Sequence, residues 1–362
     1  GLGLTVPREK GDDRNLTQTP GVHERLPAWS PDGKWVAYFS DAGGEYALHL
    51  ALQDGSQPAR VLPLKGAGFY ETPHWSPDAK KLSYTDNSHA IWIIDIASGE
   101  QTLVSRDQVY GPEPVLHHAW SPDSRWLAYT QNTPTYLNRV LLFSLADGKS
   151  YPVSDGLADA RQPVFDAGGK YLYFLVSTDA GPVDDWFSQA NADLRTVQQI
   201  YLAVLARGVA SPLARESDEE ASKPVEETKP ADKADAATDK DKEKDKQKPN
   251  EKDTAKDTAK EAKPAVEVKF DADGIAERIL ALPVKAGVYS DLSPGASNQV
   301  YYRRAASTDP GADAAIHRYD LTKRKEETLL AKADGFELSR DTKRALVRVG
   351  ESWHLVDVGD KL

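Results

Sequence analysis

The chain contains no cysteine and no methionine. The first absence excludes disulfides, thiolate nucleophiles and cysteine-ligated metals, and it leaves the redox compartment open. The second extends to the start position, so the expectation is an internal stretch of a longer chain. Long apolar runs are missing too: segments such as 90–96 and 171–176 are far too short for a membrane-crossing helix. The first ten residues lack the apolar centre of a signal peptide. Positive charge is in deficit, with 45 Lys and Arg against 56 Asp and Glu and a net charge of −11 over 362 residues. Nucleic acid and anionic membrane are therefore not expected partners. Also absent are a G-x-S-x-G elbow, an H-E-x-x-H helix, a Gly-rich phosphate loop and a Walker sequence.

What the sequence does contain is a repeat. The run from Ala28 to Ser40, AWSPDGKWVAYFS, returns as HWSPDAKKLSYTD from His74, AWSPDSRWLAYTQ from Ala119 and VFDAGGKYLYFLV from Val164. Trp29, Trp75, Trp120 and Phe165 thus lie 46, 45 and 45 residues apart. DLSPGASNQVYYR from Asp291 and ELSRDTKRALVRV from Glu337 place Leu292 and Leu338 another 46 apart. A period near 45 with strand chemistry inside each copy indicates propeller blades, since solenoid repeats are usually shorter or helical.

Within a copy, Pro31, Asp32 and Gly33 supply a fixed φ, a local side-chain bond and a positive φ, which make a turn between two strands. The run Trp35 to Phe39 is apolar on both alternating faces, so the sheet it joins must be covered on both sides by neighbouring blades. Trp29, Trp75 and Trp120 are expected between blades. Third strands follow at 46–52, 90–96 and 138–145, then turns at Asp54-Gly55, Ser98-Gly99 and Asp147-Gly148, then short fourth strands. Four antiparallel strands per repeat make a blade.

The chain therefore reads as all-β, a β-propeller of six or seven four-stranded blades interrupted by one insertion. Residues 1–213 hold the first part of the ring and 267–362 the second. Between them, 214–266 alternates Lys with Asp and Glu among Ala, Thr and Pro, too poor in apolar surface to offset chain entropy, and is expected to be disordered. Its flanks, Gln199 to Leu205 and Glu277 to Val284, are expected as third and fourth strands of blade four. At the N-terminus, 2–6 and 14–17 read as the back half of a blade, and the chain stops three strands into its sixth repeat. Those ragged ends favour seven blades.

Candidate chemistry is sparse. His117 and His118 are adjacent, so in a strand they face opposite ways and do not share a metal. Asp271, Asp273 and Glu277 resemble a calcium loop, but without its third acidic ligand or twelve-residue spacing, and a turn is expected instead. Asp32, Asp78 and Asp123 recur with the blade and are read as turn-formers. Arg303 and Arg304 are the candidate contact for a peptide carboxylate, one guanidinium facing the central channel. No residue is assigned as catalytic, cofactor-binding or metal-binding, and no cofactor is expected.

The W-S-P-D-G-K repeat is shared by TolB, prolyl-oligopeptidase-like propellers and tricorn proteases. Arg14-Asn15-Leu16-Thr17, Thr19 through Arg25, Phe39-Ser40-Asp41 and Gly44-Glu45-Tyr46 resemble more narrowly the second propeller of tricorn-type serine peptidases. So do Ser211-Pro212-Leu213 with Glu216 through Glu220, and Phe270 through Ile279 to Leu282-Pro283-Val284. The resemblance implies a large peptidase in which a six-bladed and a seven-bladed propeller precede a PDZ-like module and a serine-peptidase core that trims oligopeptides. No stretch here matches that core, so no catalytic residue carries over. The implied role is a passage or size filter and scaffold, with unfolded peptides and the remaining domains as partners, in a cytoplasmic homo-oligomer. The alternative is a TolB-like protein-binding scaffold of the cell envelope, which would place it in the periplasm.

Overall fold

The computed structural model describes residues 4–5, 14–107, 116–179, 196–215, 266–309 and 311–359. The doubly apolar runs become the second strand of each sheet, paired on both edges. Blade 1 consists of β3 (Glu24–Trp29), β4 (Trp35–Ser40), β5 (Ala47–Leu52) and β6 (Arg60–Pro63). Blade 2 is β7 (Tyr70–Trp75), β8 (Lys81–Asp86), β9 (Ala90–Asp95) and β10 (Gln101–Arg106). Blade 3 is β11 (His118–Trp120), β12 (Trp126–Asn132), β13 (Asn138–Ser144) and β14 (Lys149–Pro152). Blade 4 is β15 (Asp159–Phe165), β16 (Tyr171–Ser177), β17 (Gln199–Val204) and β18 (Ile279–Ala281). Blade 5 is β19 (Tyr289–Pro294), β20 (Gln299–Ala305), β21 (Ala314–Asp320) and β22 (Lys325–Leu330). Blade 6 has three strands, β23 (Gly335–Leu338), β24 (Arg344–Val349) and β25 (Ser352–Asp357). A separate pair, β1 (Leu4–Thr5) with β2 (Arg14–Asn15), precedes them, and the only helical turn among the described residues is the 3₁₀ turn Ile275–Arg278.

The protein is thus an all-β propeller of six described blades, and a seventh is not among them. Apolar residues collect between consecutive blades rather than in one centre. Phe39, Leu48 and Trp75 join blades 1 and 2, Ile93, Trp120 and Phe143 join 2 and 3, and Leu142, Phe165 and Phe174 join 3 and 4. Tyr173, Leu202 and Tyr302 join 4 and 5, and Tyr301, Ile316 and Val347 join 5 and 6. No such cluster joins blade 6 to blade 1 among the described residues. Blade 6 shows why that seam is open. Ala345 and Val347 are buried against blade 5, while Leu346, Trp353 and Leu355 on the opposite face are exposed.

Trp29 departs from expectation for the same reason. Trp75 and Trp120 are each 8% exposed, whereas Trp29 is 52% exposed, because each motif tryptophan packs on the preceding blade and Trp29 has none described. The fifth copy is also offset. Pro294, not Leu292, takes the place of Trp29, since Pro294 pairs with Val300 as Trp29 pairs with Val36. The turn that follows is one residue shorter, closing from Gly295 N–H to the Gln299 carbonyl at 3.0 Å.

The turn-former reading of the motif aspartates holds. Asp32, Asp78 and Asp123 each accept the hydroxyl two residues earlier at 2.6 Å and the N–H two residues later. Ser339 and Asp341 repeat the device in blade 6 at 2.7 Å. Gly33 sits at φ +72°, and Ala79, Ser124 and Thr342 hold the same left-handed place without its freedom.

The strands flanking the insertion pair directly, Tyr201 with Ala281, Leu202 with Leu280 and Ala203 with Ile279. Residues 216–265, and with them nearly all of the stretch expected to be disordered, lie outside the described residues. From Val266 the chain straps blade 3: Val268 N–H donates to Asp123 at 2.8 Å, Arg125 pairs with Glu267 at 3.1 Å, and Phe270 packs on Trp126 and Tyr151. Replacing 214–263 by a short Gly-Ser link is therefore expected to leave the melting temperature nearly unchanged. The two strand ends meet whatever lies between them, and loop closure costs only about 0.6 kcal/mol per doubling of length. Unfolding of the shortened chain would show that the segment carries packing of its own.

Candidate functional site: the axial cavity

The first strand of every blade is an edge strand, and together these strands wall a central cavity of about 1620 Å³. All six blades contribute, through Pro27, Pro73, His118, Pro163, Leu292 and Leu338 among others. One side chain crosses its mouth: Arg340 of blade 6 donates to the Pro77 carbonyl of blade 2 at 2.7 Å, reaching past blade 1.

Four of the inner strands carry a β-bulge at one shared place, between Arg25 and Ala28, Glu71 and His74, Arg161 and Val164, and Ser290 and Ser293. Each bulge holds a non-glycine residue in the left-handed region, Leu26 at φ +50°, Thr72 at +47°, Gln162 at +50° and Asp291 at +53°. Such residues are uncommon, and a β-branched one more so. Proline follows in three of the four. The sequence reading missed this device, although Leu26-Pro27, Thr72-Pro73 and Gln162-Pro163 stand at one offset before each aromatic and were open to inspection.

The histidines are brought together differently from their sequence order. His118 is buried and lies 4.6 Å, ring to ring, from His74 of blade 2, whose Nδ1 is 3.0 Å from the His118 carbonyl. His117 also lines the cavity and feels the charges of Arg161 and Asp159 of blade 4 as well as His74. Burial holds His74 below the ordinary imidazole range and His118 well below it. Burial, then the Arg161 charge and His74, push His117 down to about 4. These rings are neutral at pH 7. Among the described residues no group of His, Cys, Asp and Glu is placed to hold a metal.

Arg303 and Arg304 are both engaged. Arg304 forks onto Glu326 at 2.5 and 3.1 Å. Arg303 pairs through Nε with Asp291, a residue of the cavity wall, and donates to the Ala333 carbonyl at 3.1 Å. At the Asp271 loop the Arg207 backbone N–H donates to Asp271 at 2.7 Å, and the Arg207 guanidinium pairs with Asp273.

Six described blades around an axial cavity define a β-propeller module. Residues 1–359 match the family model of the tricorn protease second β-propeller domain, and the chain belongs to that family. It is 28% identical to tricorn protease homolog 1 of Streptomyces coelicolor, across 94% of this chain and 30% of that protein. It is 23% identical to the tricorn protease homolog of Saccharolobus solfataricus, across 97% of this chain and 28% of that one. The crystal structure of the tricorn protease superposes with a TM-score of 0.67 at 15% identity, over 96% of this chain and 31% of that one. The Tol-Pal system protein TolB of Xanthomonas campestris is 30% identical over 113 residues, 29% of this chain and 25% of that protein. The chain thus spans about three tenths of the curated tricorn relatives.

Proposed function

We propose that this chain is the non-catalytic propeller module of an oligopeptide-processing serine peptidase, acting as scaffold and as a size-selective passage for unfolded polypeptide. The observation that carries the reading is the cavity walled by all six described inner strands, which in this reading admits an extended chain and excludes a folded domain. The catalytic core belongs to the rest of a longer, homo-oligomeric cytoplasmic protein. The family model favours this over a TolB-like envelope scaffold: it spans 1–359, whereas the TolB likeness covers 29% of the chain. A peptide carboxylate entering the cavity would exchange with Asp291 on Arg303, since Arg304 is committed to Glu326 on both oxygens.

The ring closes, in this reading, through a seventh blade at the open seam. β1 and β2 would be its outer strands: Arg14 reaches the Gln53 carbonyl of blade 1 at 3.3 Å, and Glu24, bonded to Thr17 at 2.7 Å, starts the inner strand of blade 1.

The absence of cysteine makes any introduced one unique, so the passage can be probed directly. A benzophenone placed at Glu337→Cys in the cavity wall is expected to cross-link unfolded casein several times more than one at Asp147→Cys on an outer turn. Equal cross-linking at the two sites would refute passage through the ring. The chain alone is expected not to hydrolyse casein or fluorogenic peptides, and turnover that follows the protein through repurification would refute the module reading.

A further inference from the structure

An inner strand that borders a passage is an exposed sheet edge, and an extended polypeptide beside it would normally add to the sheet through main-chain hydrogen bonds. A chain captured in that way would not move on. We propose that four of the six described inner strands, those of blades 1, 2, 4 and 5, are blunted against such pairing by three prolines and one side-chain cap, so that polypeptide is in contact with that part of the wall without being bound as an added strand.

Blade 3 gives the geometry. Its inner strand is regular there, and His117 is bonded toward β12: its N–H donates to Thr130 Oγ1 at 3.1 Å, and its carbonyl accepts Thr130 N–H at 2.9 Å. Strand alternation turns the next residue's N–H away from β12, toward the axis. That next position, two before the motif aromatic, is Pro27 in blade 1, Pro73 in blade 2 and Pro163 in blade 4, and all three line the cavity. Proline has no N–H to offer. Blade 5 has Leu292 at the structurally equivalent place, and its N–H is instead covered by the Oε1 of Gln162, the left-handed bulge residue of blade 4, at 3.3 Å. In blade 3 the residue is His118, which is buried. Every bulged inner strand therefore has this donor deleted or occupied. The bulge adds a second barrier, since a left-handed residue breaks the straight edge that a partner strand needs. The inference rests on the passage reading for its purpose, but the blunted edges can be tested by themselves.

The probe is a fluorescein-labelled octapeptide of alternating Thr and Val, compared by anisotropy with a twin N-methylated at alternate residues, which cannot extend a sheet. The unaltered chain is expected to bind the two alike. The Pro27→Thr, Pro73→Thr, Pro163→Thr triple variant is expected to bind the unmethylated peptide about tenfold tighter, with no gain for its twin. Gln162→Ala, which uncovers Leu292 N–H without touching a proline, is expected to gain about threefold in the same selective way. If the triple variant fails to fold, by tryptophan fluorescence, the single variant decides. No selective gain in a folded variant, or preference for the unmethylated peptide by the unaltered chain, would overturn the proposal. Selective gain combined with failed cross-linking in the cavity would keep the blunted edges and discard the passage.

Discussion

Replacing Trp75 by alanine is expected to lower the free energy of unfolding by about 3 to 5 kcal/mol, the range for large aromatic truncations in cores. The indole is 8% exposed and packs with Phe39, Leu48 and Tyr84 between blades 1 and 2. Its Nε1 donates to the Ala28 carbonyl of the preceding blade at 3.0 Å, so truncation also strips an inter-blade hydrogen bond. Trp120 repeats the contact, with Nε1 at 3.0 Å from both the His74 carbonyl and Ser83 Oγ. The same change at Trp29 is expected to cost under about 1 kcal/mol, as for a surface site. Urea unfolding of the two variants measures the contrast, and equal losses would contradict the open seam.

Acid is expected to destabilise the ring well above the pH at which carboxylates titrate. His74, His117 and His118 are held neutral in the folded state, with pKa values below that of the unfolded chain. On acidification the unfolded chain takes up protons through about pH 6.5, while the folded chain resists until lower pH. Stability is thus complete above about pH 7, declines as pH falls, and for His117 levels off near its folded value of about 4. For His117, the gap between the unfolded and folded values, at ~1.4 kcal/mol per tenfold change in proton affinity, sets an upper limit of about 3.5 kcal/mol, trimmed by the partial exposure of its cavity-facing ring. Two buried carboxylates oppose this. Burial pushes Asp107 and Asp166 up, so they favour the folded state on acidification, but only as pH approaches the carboxylate range. Urea midpoints are therefore expected to fall between pH 7.5 and 5, with a smaller fall in His117→Gln. A midpoint that does not change over that interval would show that these rings are hydrated in the folded protein.

The blade repeat was legible in the sequence because its causes are local. Pro31-Asp32-Gly33 and its copies make turns by backbone preference and a two-residue side-chain bond, and the doubly apolar run beside them requires cover on both faces. Strand order, the turns at Gly55, Gly99 and Gly148, and the pairing across the insertion followed from those causes. Where the local signal weakens, sequence and structure part: Leu292 has the motif's Ser-Pro beside it, yet Pro294 takes the motif position and the turn forms two residues later. The exposure of Trp29 and the meeting of His74 with His118 could not be read from spacing. Each depends on which blade lies alongside, and that is decided when separate sheets pack, not within any one repeat, whereas Arg304 is engaged within its own blade by Glu326, two strands away. The set of prolines lies between the two cases. Its residues stand at a fixed offset in the sequence, but only the arrangement of inner strands about one axis makes the missing N–H groups face a common cavity.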